Sequence, residues 1–129
     1  MIALAATAAG TFGVDIETGE VLPDDAFEPP PQPPLNLPRV LAAAETGSTV
    51  VAVVDAKPPM LVSHDGGLTW RESGRGLPTG RAVAVSPDDP DTMVYAARNR
   101  LYVSRDGGVF WTALAVELPE IEAVGFSES

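Results

Sequence analysis

The sequence contains no cysteine, which excludes disulfide staples, thiolate metal sites and a cysteine nucleophile. It contains one histidine, His64, so a histidine-built metal site has no second ligand of its own kind. Bases are scarce: 8 Lys+Arg stand against 18 Asp+Glu, for a formal net charge of −10. That balance withholds the cationic footprint that nucleic acid or an anionic membrane surface requires. No apolar run approaches the ~20 residues of a membrane-spanning helix, so membrane insertion is not expected. The opening Met1-Ile-Ala-Leu-Ala-Ala-Thr7 is apolar, but it lacks a basic n-region and runs straight into Gly10-Thr-Phe-Gly13. It reads as a strand and not as a signal peptide. Sustained apolar spacing of helical period is also missing, which leaves almost no helix to expect.

What remains is 129 residues, 45% hydrophobic and 20% charged, the size and composition of one ordinary globular domain. The charge is unevenly placed. Residues 1–38 carry six acids and no base, residues 39–116 carry eight of each, and residues 117–129 carry four acids and no base. Blocks of one sign at the two ends read as solvated surface. Residues 28–38 hold six prolines in eleven positions, a density incompatible with helix or central strand. They predict an extended connector running over the surface.

The apolar runs are short and valine- and alanine-rich: residues 50–54, 82–85, 93–96 and 121–126, each bounded by Gly, Pro, Asp or Ser. That is strand patterning. Superimposed on it is an internal repeat. Residues 62–70 read Val-Ser-His-Asp-Gly-Gly-Leu-Thr-Trp and residues 103–111 read Val-Ser-Arg-Asp-Gly-Gly-Val-Phe-Trp, 41 positions on. Both fit Ser-x-Asp-x-Gly-x-x-Trp, through Ser63, Asp65, Gly67, Trp70 and Ser104, Asp106, Gly108, Trp111. Residues 14–22 form a worn third copy, with Glu17 in the aspartate's place and Leu22 in the tryptophan's. The chemistry of each position follows. Asp-Gly pairs are strong hairpin-turn formers, and a turn aspartate accepts N–H bonds from its own loop. The serine hydroxyl pins the loop, and the tryptophan supplies a large side chain to bury. An aspartate spent on its own backbone is a poor general base, so these residues read as fold determinants and none is assigned as catalytic. The acidic run Asp88-Asp-Pro-Asp91 does not have the spacing of a calcium loop and reads as a plain turn.

These motifs resemble the Asp-boxes, or BNR repeats, of β-propeller blades. Similar repeats occur in sialidases, xyloglucan-cleaving glycoside hydrolases, sortilin-type receptors and photosystem II assembly factors. The resemblance is full over residues 39–129 and faint over 1–22. It implies an all-β fold of about three four-stranded antiparallel blades: a degenerate partial blade at 1–22, the connector at 23–38, blades at 39–72 and 81–114, and a strand at 121–126 that completes a blade. In strand terms the expected segments are 2–7, 11–15 and 19–22; then 39–44, 48–54, 60–64 and 68–72; then 81–86, 92–97, 100–105 and 109–114. Three blades are too few for a closed propeller, which has four to eight. The expectation is that strand 121–126 closes a partner's N-terminal blade in a homodimer of six blades, or belongs to a longer parent.

The blade map places Lys57, Arg75, Arg81, Arg98 and Arg100 on the face built by the B–C and D–A loops, with Arg39 and Arg71 at strand ends beside it. Only Arg105 falls on the face of the two motif turns. By resemblance, the B–C/D–A face is where propeller ligands bind. Three functions follow in rank: a non-catalytic module binding a partner protein or glycan through that face; a glycoside hydrolase or half of one; and an assembly or scaffold factor. A hydrolase needs two carboxylates on one sugar, and Asp55, Glu72, Glu117 and Glu120 lie near the face without any pair standing out. The Phe-Arg-Ile-Pro type motif of sialidases is absent, since Leu37-Pro-Arg-Val40 is not a match, and Tyr95 and Tyr102 read as packing residues. No cofactor or metal is implied. Family members are often extracytoplasmic, and the residues assign no compartment.

Overall fold

The computed structural model describes residues 1–127, which form twelve strands in three four-stranded antiparallel sheets and contain no helix. Blade one holds β1 (Ile2–Thr7), β2 (Gly10–Asp15) and β3 (Val21–Pro23). Blade two is β4 (Val40–Thr46), β5 (Thr49–Val54), β6 (Met60–Ser63) and β7 (Arg71–Ser73), paired in chain order. Blade three is β8 (Ala82–Val85), β9 (Met93–Ala96), β10 (Leu101–Ser104) and β11 (Thr112–Ala113), again in order. The fourth strands of blades two and three are shorter than expected. Each motif turn consumes the chain through its tryptophan, so pairing resumes only at Arg71 and Thr112.

The last strand, β12 (Ile121–Phe126), pairs antiparallel with β1 of the same chain, in the register Ala3↔Phe126, Ala5↔Val124 and Thr7↔Ile121. The expected exchange of this strand with a second copy is therefore replaced by closure in cis. The connector makes this closure reachable. Blades two and three are joined by residues 74–81, and β11 leads to β12 through residues 114–120, whereas β3 and β4 are separated by residues 24–39. Sixteen residues of extended proline-rich chain span roughly 50 Å at ~3.1 Å each, enough to pass from one end of the arc to the other.

Blade three sits in the middle, with β8 packed on β4 on one side and on β12 on the other. Two cores result. Between blades two and three lie Val51, Val53, Met60, Val62, Met93 and Tyr95; between blades three and one lie Ala3, Ala5, Val14, Val94, Leu101 and Ile121. Every residue of β8 and β9 is buried, because strands sandwiched between two blades have no polar face, and β5 of blade two is buried along its whole length as well.

Candidate functional site

The two motif turns are built alike. In blade two, Ser63 Oγ donates to Asp65 Oδ1 at 2.7 Å and accepts the Gly67 N–H at 2.8 Å. Asp65 also takes the Thr69 N–H at 2.9 Å and the Thr69 hydroxyl. In blade three, Ser104 Oγ donates to Asp106 and accepts the Gly108 N–H, while Asp106 Oδ1 takes the N–H groups of Val109 and Phe110 at 3.1 and 3.0 Å. Gly67 and Gly108 have φ of 95° and 89°, a region that residues with a Cβ rarely enter. In the worn copy the carboxylate that works is Asp15, which accepts the N–H groups of Glu17 and Thr18; Glu17 does not take that role. Leu22 is 60% exposed, and Val21 is the residue turned toward the core.

These bonds hold the carboxyls acidic. The Thr69 hydroxyl, with Ser63 and the Thr69 amide, takes Asp65 down to about 2, and the Phe110 N–H lowers Asp106. A lowered folded pKa means stability that is present above the unfolded value of 3.8 and is lost as pH falls through the folded one. Melting temperature is therefore expected to drop between about pH 4 and pH 2. Asp65→Asn and Asp106→Asn should be less stable at pH 7 and should flatten that drop; melts recorded across this range check it.

Both tryptophans are half-buried and not core-buried as the motif suggested. Trp111 sits in the joint between blades: its Nε1 donates to Ser73 Oγ at 2.9 Å, and its ring meets Tyr95 edge-on at 6.0 Å. Trp70 lies over its own turn at Gly67. His64 also bridges blades, with Nε2 3.2 Å from the Gly107 carbonyl and Nδ1 3.4 Å from Thr49 Oγ1. Sequence reading passed over that role because the position varies between the two copies. Asp89 is spent on the Asp91 N–H and the Thr92 hydroxyl, which makes 88–91 a self-bonded turn. Among the described residues no group of three His, Asp or Glu side chains is placed to hold a metal ion.

The opposite face carries the cations. Lys57 lies in the β5–β6 loop, Arg98 and Arg100 in the β9–β10 loop, and Arg75 and Arg81 in the segment between blades two and three. Arg81 pairs with Glu120 at 2.5 Å and Arg100 with Glu117 at 2.9 Å, so two of the five are neutralised. Among the described residues Lys57, Arg75 and Arg98 have no ion pair. Arg71 does not join them: it opens β7 at the motif-turn end, beside Asp65 and Trp70. Arg105 is a strut, donating to the Ile16 carbonyl of blade one at 2.9 Å.

Along the axis, β4, β8 and β12 and connector residues 27–32 surround a cavity of about 560 Å³. Arg81 marks its end on the cationic face, and Phe27 packs against Gly125, where an added Cβ would lie 2.9 Å from the ring. Glu28, Glu45 and Glu122 reach its edge as exposed side chains, without a hydrogen-bond or ion-pair partner among the described residues. Of the four acids near the loops, Glu117 and Glu120 are committed to arginines.

No protein-family profile matches the chain, and no curated protein matches it. Solved structures do. The GH74 enzyme of Niastella koreensis aligns over 91% of this chain and 18% of its own at 22% identity, with a TM-score of 0.50. A structure of YCF48 bound to D1 peptide aligns over 91% of this chain and 38% of its own at 19% identity, with a TM-score of 0.53. The chain thus spans less than two-fifths of either neighbour, and at such identity the likeness establishes the fold alone. Both neighbours are β-propellers, and the three sheets described here are propeller blades.

Proposed function

We propose that this chain is a non-catalytic propeller module that binds an acidic, extended segment of a partner protein on its cationic loop face. The observation that carries the reading is the pairing pattern on that face: among the described residues Lys57, Arg75 and Arg98 stand without counter-ions, while Glu117 and Glu120 are held by arginines. Unpaired guanidinium groups favour carboxylate partners, and carboxylates already locked in ion pairs are poor acids and nucleophiles. The peptide carried by the YCF48 neighbour supports the choice of a protein ligand. A glycan is the second ligand class, supported by the enzyme neighbour. A catalytic role on a sugar would require two carboxylates across one bound residue. An assembly role would use the same face, and the partial ring would be completed by a second copy.

The test is binding of fluorescein-labelled Asp/Glu-rich peptides, followed by polarisation. Charge reversal at Arg98 or at Arg75 is each expected to weaken binding by roughly tenfold, the loss of one charge-assisted contact. Arg71→Glu, on the other end of the blades, should leave it unchanged. Arg105 is a poor control because it holds blade one. Hydrolysis of xyloglucan or of a fluorogenic sialoside, abolished by Asp55→Asn or Glu72→Gln, would replace this reading with the hydrolase.

A further inference from the structure

The chain contains the same kind of joint twice. At the first, blade three presents a face carrying Tyr95, Tyr102 and Trp111 to blade two, whose β7 receives the Trp111 indole on Ser73. The motif turns also meet there, through His64 and the Gly107 carbonyl. At the second joint, blade one presents Ala5, Val14 and Val21 to blade three, and again the turns meet, through Arg105 and the Ile16 carbonyl. Each blade therefore has a face that looks back and a face that looks forward. Blade two's backward face and blade one's forward face are left at the two ends of the arc.

The repeat says what those ends lack. Trp70 is the 41-residue counterpart of Trp111, and strand alternation puts it with Leu61 and Glu72 on the backward face of blade two. Its indole N–H has no hydrogen-bond partner among the described residues. Leu22, opposite Gly13 and on the side away from Val21, lies on the forward face of blade one, in the strand that corresponds to β7. It is 60% exposed. The inner part of each end face is already covered: Ala43 and Ala52 are buried on blade two, and Phe27 lies over Gly125 on blade one. The rims are open.

We propose that two copies of this chain dock end to end, with Leu22 of blade one in each copy against Trp70 of blade two in the other. The result is a two-fold ring of six blades. Both interfaces are identical, each repeats the joint already formed inside the chain, and six falls within the range of closed propellers. No strand changes hands, because β12 is already paired with β1. The second copy completes the axial cavity with its own β4, β8 and β12 and doubles the cations around the loop face. The docking does not depend on what that face binds.

The experiment is native mass spectrometry and light scattering on the full chain at micromolar concentration, with no ligand present. The expected mass is twice 13.4 kDa. Leu22→Arg, at an exposed site, should weaken the dimer by roughly tenfold or more, as loss of an interface anchor does, while the circular dichroism of the monomer stays unchanged. Trp70→Ala, at the other rim, should weaken the dimer likewise. A folded wild-type monomer at 100-fold higher concentration would overturn the proposal. So would a ring of another size, or a dimer indifferent to Leu22→Arg and to Trp70→Ala.

Discussion

Tyr95→Ala is expected to cost about 3–5 kcal/mol, the range for emptying a buried aromatic site. Against a typical net stability of roughly 5–15 kcal/mol, that removes much of the fold's margin. The side chain is fully buried in the joint between blades two and three, and it meets both Tyr102 and Trp111 at ring-centroid distances of 6.0 Å. Its hydroxyl donates to the Pro78 carbonyl at 2.5 Å, tying the segment that leads into blade three onto the core. Gly80 lies directly beneath the ring, where an added Cβ would come within 2.3 Å of it, so Gly80→Ala should be destabilising through the same contact. Tyr95→Phe keeps the packing and loses one hydrogen bond, a smaller cost of about 1–2 kcal/mol. Burial also raises the Tyr95 phenol to about 12 from 10.0. A raised folded pKa means stability that is complete below the unfolded value and lost as pH rises toward the folded one, so the alkaline decline between about pH 10 and 12 should be shallower in the phenylalanine variant. Urea titrations of the three variants at pH 7, and of the Phe variant at high pH, give the numbers. A Tyr95→Ala protein with the wild-type midpoint would mean that the joint is not closed around this ring.

Much of this architecture can be read from local chemistry, and the parts that cannot share a physical cause. The Asp-Gly pairs at 65–66 and 106–107 bend the chain wherever they occur, so the turns and the strands beside them follow from the residues alone. The same holds for the valine–alanine strands at 50–54 and 82–85, because apolar runs bounded by turn residues have few alternatives. The partner of β12 is different. A strand edge presents the same backbone groups to any other edge, and choosing between a second copy and the chain's own β1 depends on how far the connector reaches, which composition does not encode. The worn repeat slips for a related reason. Matching Glu17 and Leu22 to the motif keeps the spacing of its letters, but the tighter turn at 15–20 shifts the register by one, and one residue exchanges the two faces of a strand. On the loop face the cations are legible and their pairing is not. Arg81–Glu120 and Arg100–Glu117 join residues 39 and 17 positions apart, so which arginines are left free emerges only from the packing of blade three. His64 and Ser73 escape sequence reading altogether, because each acts across a joint on a residue in the next repeat.

Ending the chain at Glu120 should unfold blade one and take its neighbour's outer core with it. The deletion removes β12 and with it the five register pairs to β1, leaving that strand with one hydrogen-bonded edge instead of two. It also removes Ile121 and Val124, both buried in the core between blades three and one, and the half-buried Phe126 packed against them. At about 1.5–3 kcal/mol for each buried aliphatic or aromatic side chain, the loss is comparable to the whole stability of a small domain. Further anchors go at the same time: the Ile121 N–H bond to the Arg98 carbonyl at 2.7 Å and the Ser127 N–H bond to the Ile2 carbonyl at 2.9 Å. The expected result is a chain with lost near-ultraviolet signal, exposed apolar surface and rapid amide exchange in residues 2–15, while the joint around Tyr95 exchanges more slowly. A control, Glu122→Ala on the exposed side of the same strand, should melt like the wild type. A synthetic peptide of residues 120–127, added in excess, should restore protection to β1 by refilling the vacant edge, since the site and its register remain specified by Ala3, Ala5 and Thr7. A truncated chain that keeps the wild-type melting point, or a peptide that protects nothing, would place β12 outside blade one and remove the basis for closure within a single chain.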